Sequence, residues 1–306
     1  MRHLETLDDE PSQRSPVNSP IEELCYLLCR RALRRHAEAH PTHINVADYA
    51  TWRYASLQRQ FTMYFNPSQV RGKRVIDLGC GSGDLARFVF ELGAGSVTGV
   101  DLSETFVEFA RQAAAAHNLG ERVTFVVGRP DSIPVDRESA DVVLCFDVME
   151  HVLDYESIIG EWHRVLIPGG KVLIWWSVWM HPYGHHCYPL VNVPWAHLFL
   201  SDAALLRICA RTYDLSEYRA SFWHLDDNGR KKSNPYRNDD TLEDYLNKLT
   251  TWRFERVCWR ARLRVTRKEI VPFSGNRAKA LKKFLASIPF LSDAFCACVI
   301  YELEAV

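Results

Sequence analysis

The chain reads as an α/β domain on an open, mainly parallel sheet with helices on both faces, and three observations predict it. The first is Arg74-Val-Ile-Asp-Leu-Gly-Cys-Gly-Ser-Gly-Asp84, where a short apolar run enters an acid and then three glycines at alternate positions. Leu85 to Leu92 follows with apolar residues at helical spacing, so the stretch is a strand, a tight turn and a helix. The second is the recurrence of that alternation downstream, with β-rich runs at Ser96–Ser103, Arg122–Gly128, Ala140–Asp147 and Lys171–Trp176 separated by helical patterns. The third is Asp101, which closes the second run roughly twenty residues past the glycine turn, where a ribose-binding carboxylate stands in a βαβ unit.

In chain order, residues 1–19 are polar with two prolines and are expected to be a disordered tail. Residues 20–70 form a helical cap. Leu24, Leu27, Leu28, Ala32 and Leu33 set an apolar stripe opposite Arg30, Arg34 and Arg35, and a second helix runs from Val46 to Phe65. Its Tyr49, Trp52 and Arg53 either face a bound ligand or pack on the sheet edge. The catalytic domain spans 71–306. Within it Val107–His117 and Ile158–Leu166 are helices, the latter stopped by Pro168-Gly-Gly170. Residues 177–240 are an aromatic, histidine-rich insertion over the carboxyl ends of the strands, helical from Ser201 to Thr212, with a mobile loop at Asp226–Asp240. Thr241–Arg260 is a core-type helix, Leu263–Val271 a strand, Ala278–Leu291 a helix and Cys296–Glu302 the last strand.

Bulk composition excludes several classes. A 47% hydrophobic, 25% charged chain of 306 residues with net charge −1 is an ordinary globular protein with no global field for nucleic acid or anionic membrane. Its nine cysteines form no C-x-x-C pair and read as reduced core thiols. The acidic, Pro/Ser-rich start is unlike a signal peptide, and the longest apolar run, Val172–Met180, is too short to span a bilayer. A cytoplasmic protein is expected.

The glycine turn discriminates between ligands. In G-x-G-x-x-G the third glycine falls one residue later than here, and Asp77 just before the turn would repel a pyrophosphate but pair with an ammonium group. Asp77-Leu-Gly-Cys-Gly-Ser-Gly83 resembles motif I of the class I S-adenosylmethionine (SAM)-dependent methyltransferases, and Asp101 resembles motif II. Asp141-Val-Val, Glu150-His151 and Arg164-Val-Leu-x-Pro-Gly-Gly170 are similar to the UbiE/UbiG-like branch. These motifs cover roughly residues 74–176. The resemblance implies a Rossmann-like, seven-stranded, mainly parallel sheet with an antiparallel last strand, and SAM as cofactor. It assigns Asp77, Gly79, Gly81, Gly83, Asp101, Leu102, Arg129, Pro130, Asp131 and Asp147 to cofactor binding. The family places an acid after strand three for the adenine amino group. Arg129 stands there in this chain, so Asp131 or backbone groups read the ring.

Candidate chemistry lies after strands four and five. In UbiG-like O-methyltransferases an E-x-x-E-H segment holds a divalent cation, and Asp147, Glu150 and His151 match it, with aspartate in place of the first glutamate. His151 is otherwise a general base or a helix cap. His181, His185, His186 and His197 cluster after strand five. Pro182 and Gly184 argue for a loop there and against a helical His-x-x-x-His metal pair, and His186 is the second candidate base. Arg253, Arg256, Arg260, Arg262, Arg264, Arg267 and Lys268 with Trp252 and Trp259 form a basic aromatic run, read as a solvated helix face with tryptophans turned inward rather than as a nucleic-acid surface. The Asn/Asp-Pro-Pro-Tyr motif of nucleobase amino-methyltransferases is missing after strand four, where Phe146-Asp-Val-Met stands. The leading expectation is methylation of a small molecule, at oxygen before nitrogen or carbon, such as a specialised metabolite. RNA or protein methylation, and use of SAM in another reaction such as cyclisation, are the alternatives.

Overall fold

The computed structural model describes residues 19–39, 46–220, 224–226, 229–237, 241–273, 279–289 and 291–306. The expected tail, residues 1–19, lies outside the described residues except for Ser19. Seven strands, β1 (Arg74–Leu78), β2 (Ser96–Asp101), β3 (Val123–Val127), β4 (Ala140–Phe146), β5 (Leu166–Trp176), β6 (Leu263–Pro272) and β7 (Cys296–Ala305), form one sheet in the order β3-β2-β1-β4-β5-β7-β6. The five strands from β3 to β5 pair in parallel, and β7 runs antiparallel to both β5 and β6. The order reverses between β1 and β4, so their carboxyl ends open the crevice in which doubly wound sheets bind ligands.

Both faces are covered. On one, α2 (Val46–Tyr64), α3 (Asp84–Glu91) and α4 (Glu104–Ala116) bury Leu57, Phe61, Phe65, Phe88 and Ala110 against Val97, Leu144 and Phe146. On the other, α5 (Tyr155–Val165) and α8 (Thr251–Arg260) bury Ile159, Trp162, Phe254 and Val257 against Val143, Ile174 and Tyr301. A third core joins α1 (Pro20–Ala39) to α7 (Asp202–Tyr213) and to the loop holding Cys187, Leu190 and Val191, which leads into the short α6 (Ala196–Phe199). Glu22, 1% exposed, pins the two helices through bidentate bonds from Arg207 at 3.0 and 2.6 Å. Thus α1 belongs to the cover over the site, while α2 belongs to the sheet. Two further short helices, α9 (Lys279–Ala286) and α10 (Ser292–Phe295), precede β7. All nine cysteines are free and buried.

Four expectations need correction. On α1 the buried face is Glu22, Cys25, Cys29 and Leu33, and of the expected stripe Leu24, Leu27 and Leu28 are about half exposed. The helix expected over Thr241–Arg260 begins only at Thr251, where the Thr250 side chain caps it by accepting from the Arg253 amide. The residues before it form turns that clamp the site. The tryptophans of that helix do not turn inward. Thr251, Phe254, Val257 and Cys258 occupy the buried face, so helical geometry puts Trp252 and Trp259 on the opposite side, 68% and 78% exposed. Of the expected mobile loop, the described residues 229–237 are anchored in part, the Tyr236 hydroxyl meeting His224 at 2.8 Å, which also meets the Tyr218 hydroxyl at 2.6 Å, and Asn234 donating to the Ala210 carbonyl.

Candidate active site

The glycine turn is shaped by its backbone. Gly79, Gly81 and Gly83 all have left-handed φ angles of +71°, +51° and +82°, which only glycine adopts without strain. A Cβ on Gly79 would lie 2.3 Å from the Val148 side chain and one on Gly83 2.8 Å from the Phe125 ring, whereas one on Gly81 would meet nothing within 4 Å. Gly79 and Gly83 are therefore glycine for packing, and Gly81 keeps a space open. Asp101 fastens the turn by accepting from the amides of Gly81 and Ser103, both at 2.9 Å.

Asp77 lies beneath this turn, 2% exposed, with its Oδ2 unpartnered. Burial pushes its pKa up to about 8, with the Ala86 amide pulling down and the Asp101 carboxylate pushing up as smaller effects. Leu102 projects into solvent at the tip of β2, 59% exposed, and its Cδ2 would lie 3.8 Å from a Cβ on Gly128. Arg129, Pro130 and Asp131 form an exposed turn closed by Arg129–Ser132 backbone bonds, and the Asp131 carboxylate accepts from the Ser132 hydroxyl at 3.3 Å. Leu102 and this turn thus leave the tip of β2 and the end of β3 open.

Asp147 follows β4 with a left-handed φ of +61° and receives Arg53 of α2 at 2.9 Å. α2 packs Leu57 and Phe61 on the sheet and sends Arg53 to Asp147; Trp52 is 43% exposed, and the Tyr49 side chain lies outside the described ones. Glu150 is 4% exposed, and burial, then the Asp147 carboxylate, drive its pKa well up. The Ser177 backbone pulls the other way without a well-formed hydrogen bond, and both carboxyl oxygens are unpartnered.

His151 has turned away from these acids. Its Nδ1 lies 3.1 Å from the Tyr245 carbonyl, which can only accept, so Nδ1 carries the proton and Nε2 keeps the lone pair. The ring sits 4.5 Å from the Tyr245 ring and 5.2 Å from that of His186, whose own φ is +53°. Asn247 fixes this turn, donating from its amide side chain to the Met149 and Val152 carbonyls at 2.7 and 2.9 Å and from its backbone to the Glu150 carbonyl. Sequence reasoning missed Tyr245 and Asn247, because both fell inside a stretch read as helix.

Burial keeps the remaining histidines neutral. Together with smaller effects of neighbouring imidazoles it lowers the pKa of His181 and His186 to about 4 and of His185 to about 3, and burial alone lowers that of His197 against the opposing Trp179 carbonyl and Asp202. His185 Nδ1 accepts from the Cys187 amide at 3.0 Å, which leaves an N–H at Nε2; His197 Nε2 donates to the Trp179 carbonyl at 2.8 Å. His181 Nδ1 likewise accepts from the Tyr183 amide. With Nδ1 taken, a neutral His181 or His185 presents a proton rather than a lone pair, so they do not make a metal pair. Among the described residues no three His, Cys, Asp or Glu side chains gather into a group able to hold a metal ion. The expected ligands Asp147, Glu150 and His151 are engaged with Arg53, buried, and turned to Tyr245 respectively.

Concavities of about 330 and 370 Å³ lie elsewhere, at the amino ends of the strands beside Thr98 and Asp136, and between Leu28 of α1 and Pro194. Chemistry rather than cavity size locates the site. The turn fits an adenosyl amino acid: Gly81 leaves a gap, Asp101 stands at the end of β2, and Asp77 offers an orphaned carboxyl oxygen for an ammonium.

The methyltransferase domain family matches residues 76–174. A ubiquinone biosynthesis O-methyltransferase of Neisseria meningitidis serogroup C is 31% identical over 169 residues, spanning 52% of this chain and 71% of that protein. The chain belongs to the class I SAM-dependent methyltransferases. A ubiquinone biosynthesis O-methyltransferase of Coxiella burnetii is 32% identical over 103 residues, 34% of this chain and 43% of that one. A probable protein arginine N-methyltransferase 6 of Arabidopsis thaliana is 35% identical over 127 residues, 40% of this chain and 27% of that one. Among solved structures, a protein of Pyrococcus horikoshii superposes with a TM-score of 0.50 at 18% identity, covering 89% of this chain and 99% of that one, a likeness of fold alone. As in the methyltransferase fold implied by the motifs, the reversed strand is the last. No described helix is long and apolar enough to cross a membrane.

Proposed function

We propose that this methyltransferase methylates a hydroxyl oxygen of a small, partly aromatic acceptor, such as a specialised metabolite, with His151 as general base. The observation that carries the reading is the His151 tautomer, whose free Nε2 stands among Tyr245 and His186 at the carboxyl end of β4. The similarity to the O-methyltransferases of Neisseria and Coxiella supports oxygen over nitrogen.

SAM, when bound, supplies a sulfonium methyl carbon that takes the acceptor oxygen's electron pair while the C–S electrons return to sulfur. The chain's residues do the rest. Asp77 receives the ammonium, giving up a proton as it does so. Asp101 accepts from the ribose hydroxyls, exchanging one of its backbone bonds. Arg53, already poised over Asp147, serves the carboxylate end. Leu102 and the Arg129–Asp131 turn flank the adenine. His151 Nε2 takes the hydroxyl proton, and the Tyr245 carbonyl steadies the imidazolium that results. The rings of Tyr245 and His186 hold an aromatic acceptor and exclude water.

The test is a methylation screen over phenols, catechols and matched anilines, with wild type and His151→Gln. Oxygen-methylated product is expected, with kcat lowered about 10²–10⁴-fold in the variant and SAM affinity unchanged. Product methylated only at nitrogen, or undiminished turnover in the variant, rejects the reading. Loss of SAM binding in Asp101→Ala tests the cofactor contacts separately.

A further inference from the structure

The outer face of α8 is composed in a way that methyl transfer to a small molecule does not use. Its fully exposed residues are Trp252, Arg253, Arg256, Trp259 and Arg260, and no other type. The tryptophans are seven positions apart, so they lie on one side of the helix about 10 Å apart along its axis. Between them the Arg256 guanidinium sits 5.6 Å from the Trp252 ring centroid, and Arg253 leans on Tyr155 at 5.3 Å.

The charge here is uncompensated. Arg264, Arg267 and Lys268 of the adjoining β6 are paired with Glu304, Glu302 and Glu255. Arg253, Arg256, Arg260 and Arg262 form no ion pair among the described residues. The one acid of α8, Glu255, is held by Lys268 and the Tyr301 hydroxyl, each at 2.6 Å. A chain of net charge −1 thus carries four neighbouring guanidinium groups with no carboxylate partner among the described residues, beside two exposed indoles. Its upper end is the site's rim, since Asn247, just before α8, clamps the turn that bears His151.

We propose that this face binds single-stranded RNA, with Trp252 and Trp259 stacking on bases and Arg253, Arg256, Arg260 and Arg262 neutralising phosphates. A polyanion is required by charge complementarity. A second copy docked through the same face would set four guanidinium groups against four. A lipid surface is met by a broad apolar face in which Leu and Phe accompany Trp, whereas the apolar residues of α8 other than its tryptophans, Phe254, Val257 and Cys258, all point into the core. Exposed aromatic faces alternating with guanidinium groups match the stacking platform and electrostatic track that unpaired strands use.

The experiment is fluorescence anisotropy of a short, unstructured, labelled RNA with the full chain. Four phosphate contacts predict a log–log salt slope of about −2.8, so raising salt from about 50 to about 200 mM weakens binding about 50-fold. Trp252→Ala and Trp259→Ala each weaken it about five-fold or more through lost stacking. Arg256→Gln and Arg260→Gln each flatten the slope by about 0.7. These residues lie on the surface, so thermal melting and SAM binding stay at wild-type values, which keeps this test separate from that of the methylation reading. No RNA binding at the lower salt overturns the proposal. So does a tryptophan-independent affinity, which is generic polyanion attraction, or equal binding of a duplex. Tryptophan-dependent binding to phosphatidylserine vesicles or to polyglutamate that matches or exceeds RNA binding overturns it in favour of a membrane or an acidic protein.

Discussion

Lowering the pH from 8 to 5 should open the histidine-rich cover while the sheet stays folded. His181 and His186 titrate at about 4 and His185 at about 3 in the folded cover, against an ordinary value near 6.5. Burial is the main cause for all three. Their folded values are depressed, so between pH 6.5 and 4 the opened cover binds protons that the closed one cannot. Stability from this source is complete above about 6.5 and lost as the pH falls toward 4. At pH 5 each opened imidazole gains about 2 kcal/mol, so three give about 6 kcal/mol, or about 4 after allowing for the partial exposure of His181 and His186. That is about a thousand-fold in the opening equilibrium.

The measurement must be local. Asp77, raised to about 8, and Glu150, also raised, act in the opposite sense: the folded chain holds protons there that the unfolded one releases, which stabilises it as pH falls from 8. A global urea melt adds both effects. Amide exchange of residues 181–197, corrected for the intrinsic pH dependence of exchange, isolates the cover. Protection there should collapse toward pH 5 while that of β1 and β4 persists. His185→Asn, whose side-chain oxygen can replace Nδ1 as acceptor for the Cys187 amide, should remove a third to a half of the effect. Uniform protection from pH 8 to 5, or an unchanged profile in the variant, refutes the reasoning.

Three further expectations follow from the same geometry. SAM affinity should rise with pH toward about 8, with proton release detectable by calorimetry in buffers of different ionisation enthalpy, because Asp77 must ionise to meet an ammonium; Asp77→Asn should bind weakly and without that dependence. Gly81→Ala should melt within a few degrees of wild type, the left-handed φ costing about 1–2 kcal/mol, yet lose SAM affinity at least about ten-fold because its methyl enters the open space, whereas Gly79→Ala should fail to fold, its Cβ colliding with Val148. Arg207→Ala should destabilise the chain by about 2–3 kcal/mol in urea melts, since the buried Glu22 carboxylate is left without its bidentate partner; Glu22→Gln in the same background should recover part of that loss.

Much of the cofactor side was legible in the chain. Strand, turn and helix around Asp77–Gly83 are set by residues within a few positions of one another, and Asp101 follows at a separation that the βαβ unit imposes. Periodicity and turn chemistry are local, so they survive in the sequence. The acceptor side was decided by tertiary structure. Arg53 meets Asp147 from a helix far earlier in the chain, and His151 acquires its tautomer from a carbonyl almost a hundred positions later. Of the three candidate metal ligands, close in sequence, Asp147 is taken by Arg53 and His151 by the Tyr245 carbonyl, while Glu150 stays buried beside Asp147. On α8 the helical period showed that one face must be buried, but both Phe254 and Trp252 are apolar enough to claim it. Packing on Trp162 and Trp176 chose Phe254, and the tryptophans were left outside. Competition among similar side chains for one interior face is settled by shape and volume across the whole core, and no local pattern records the outcome.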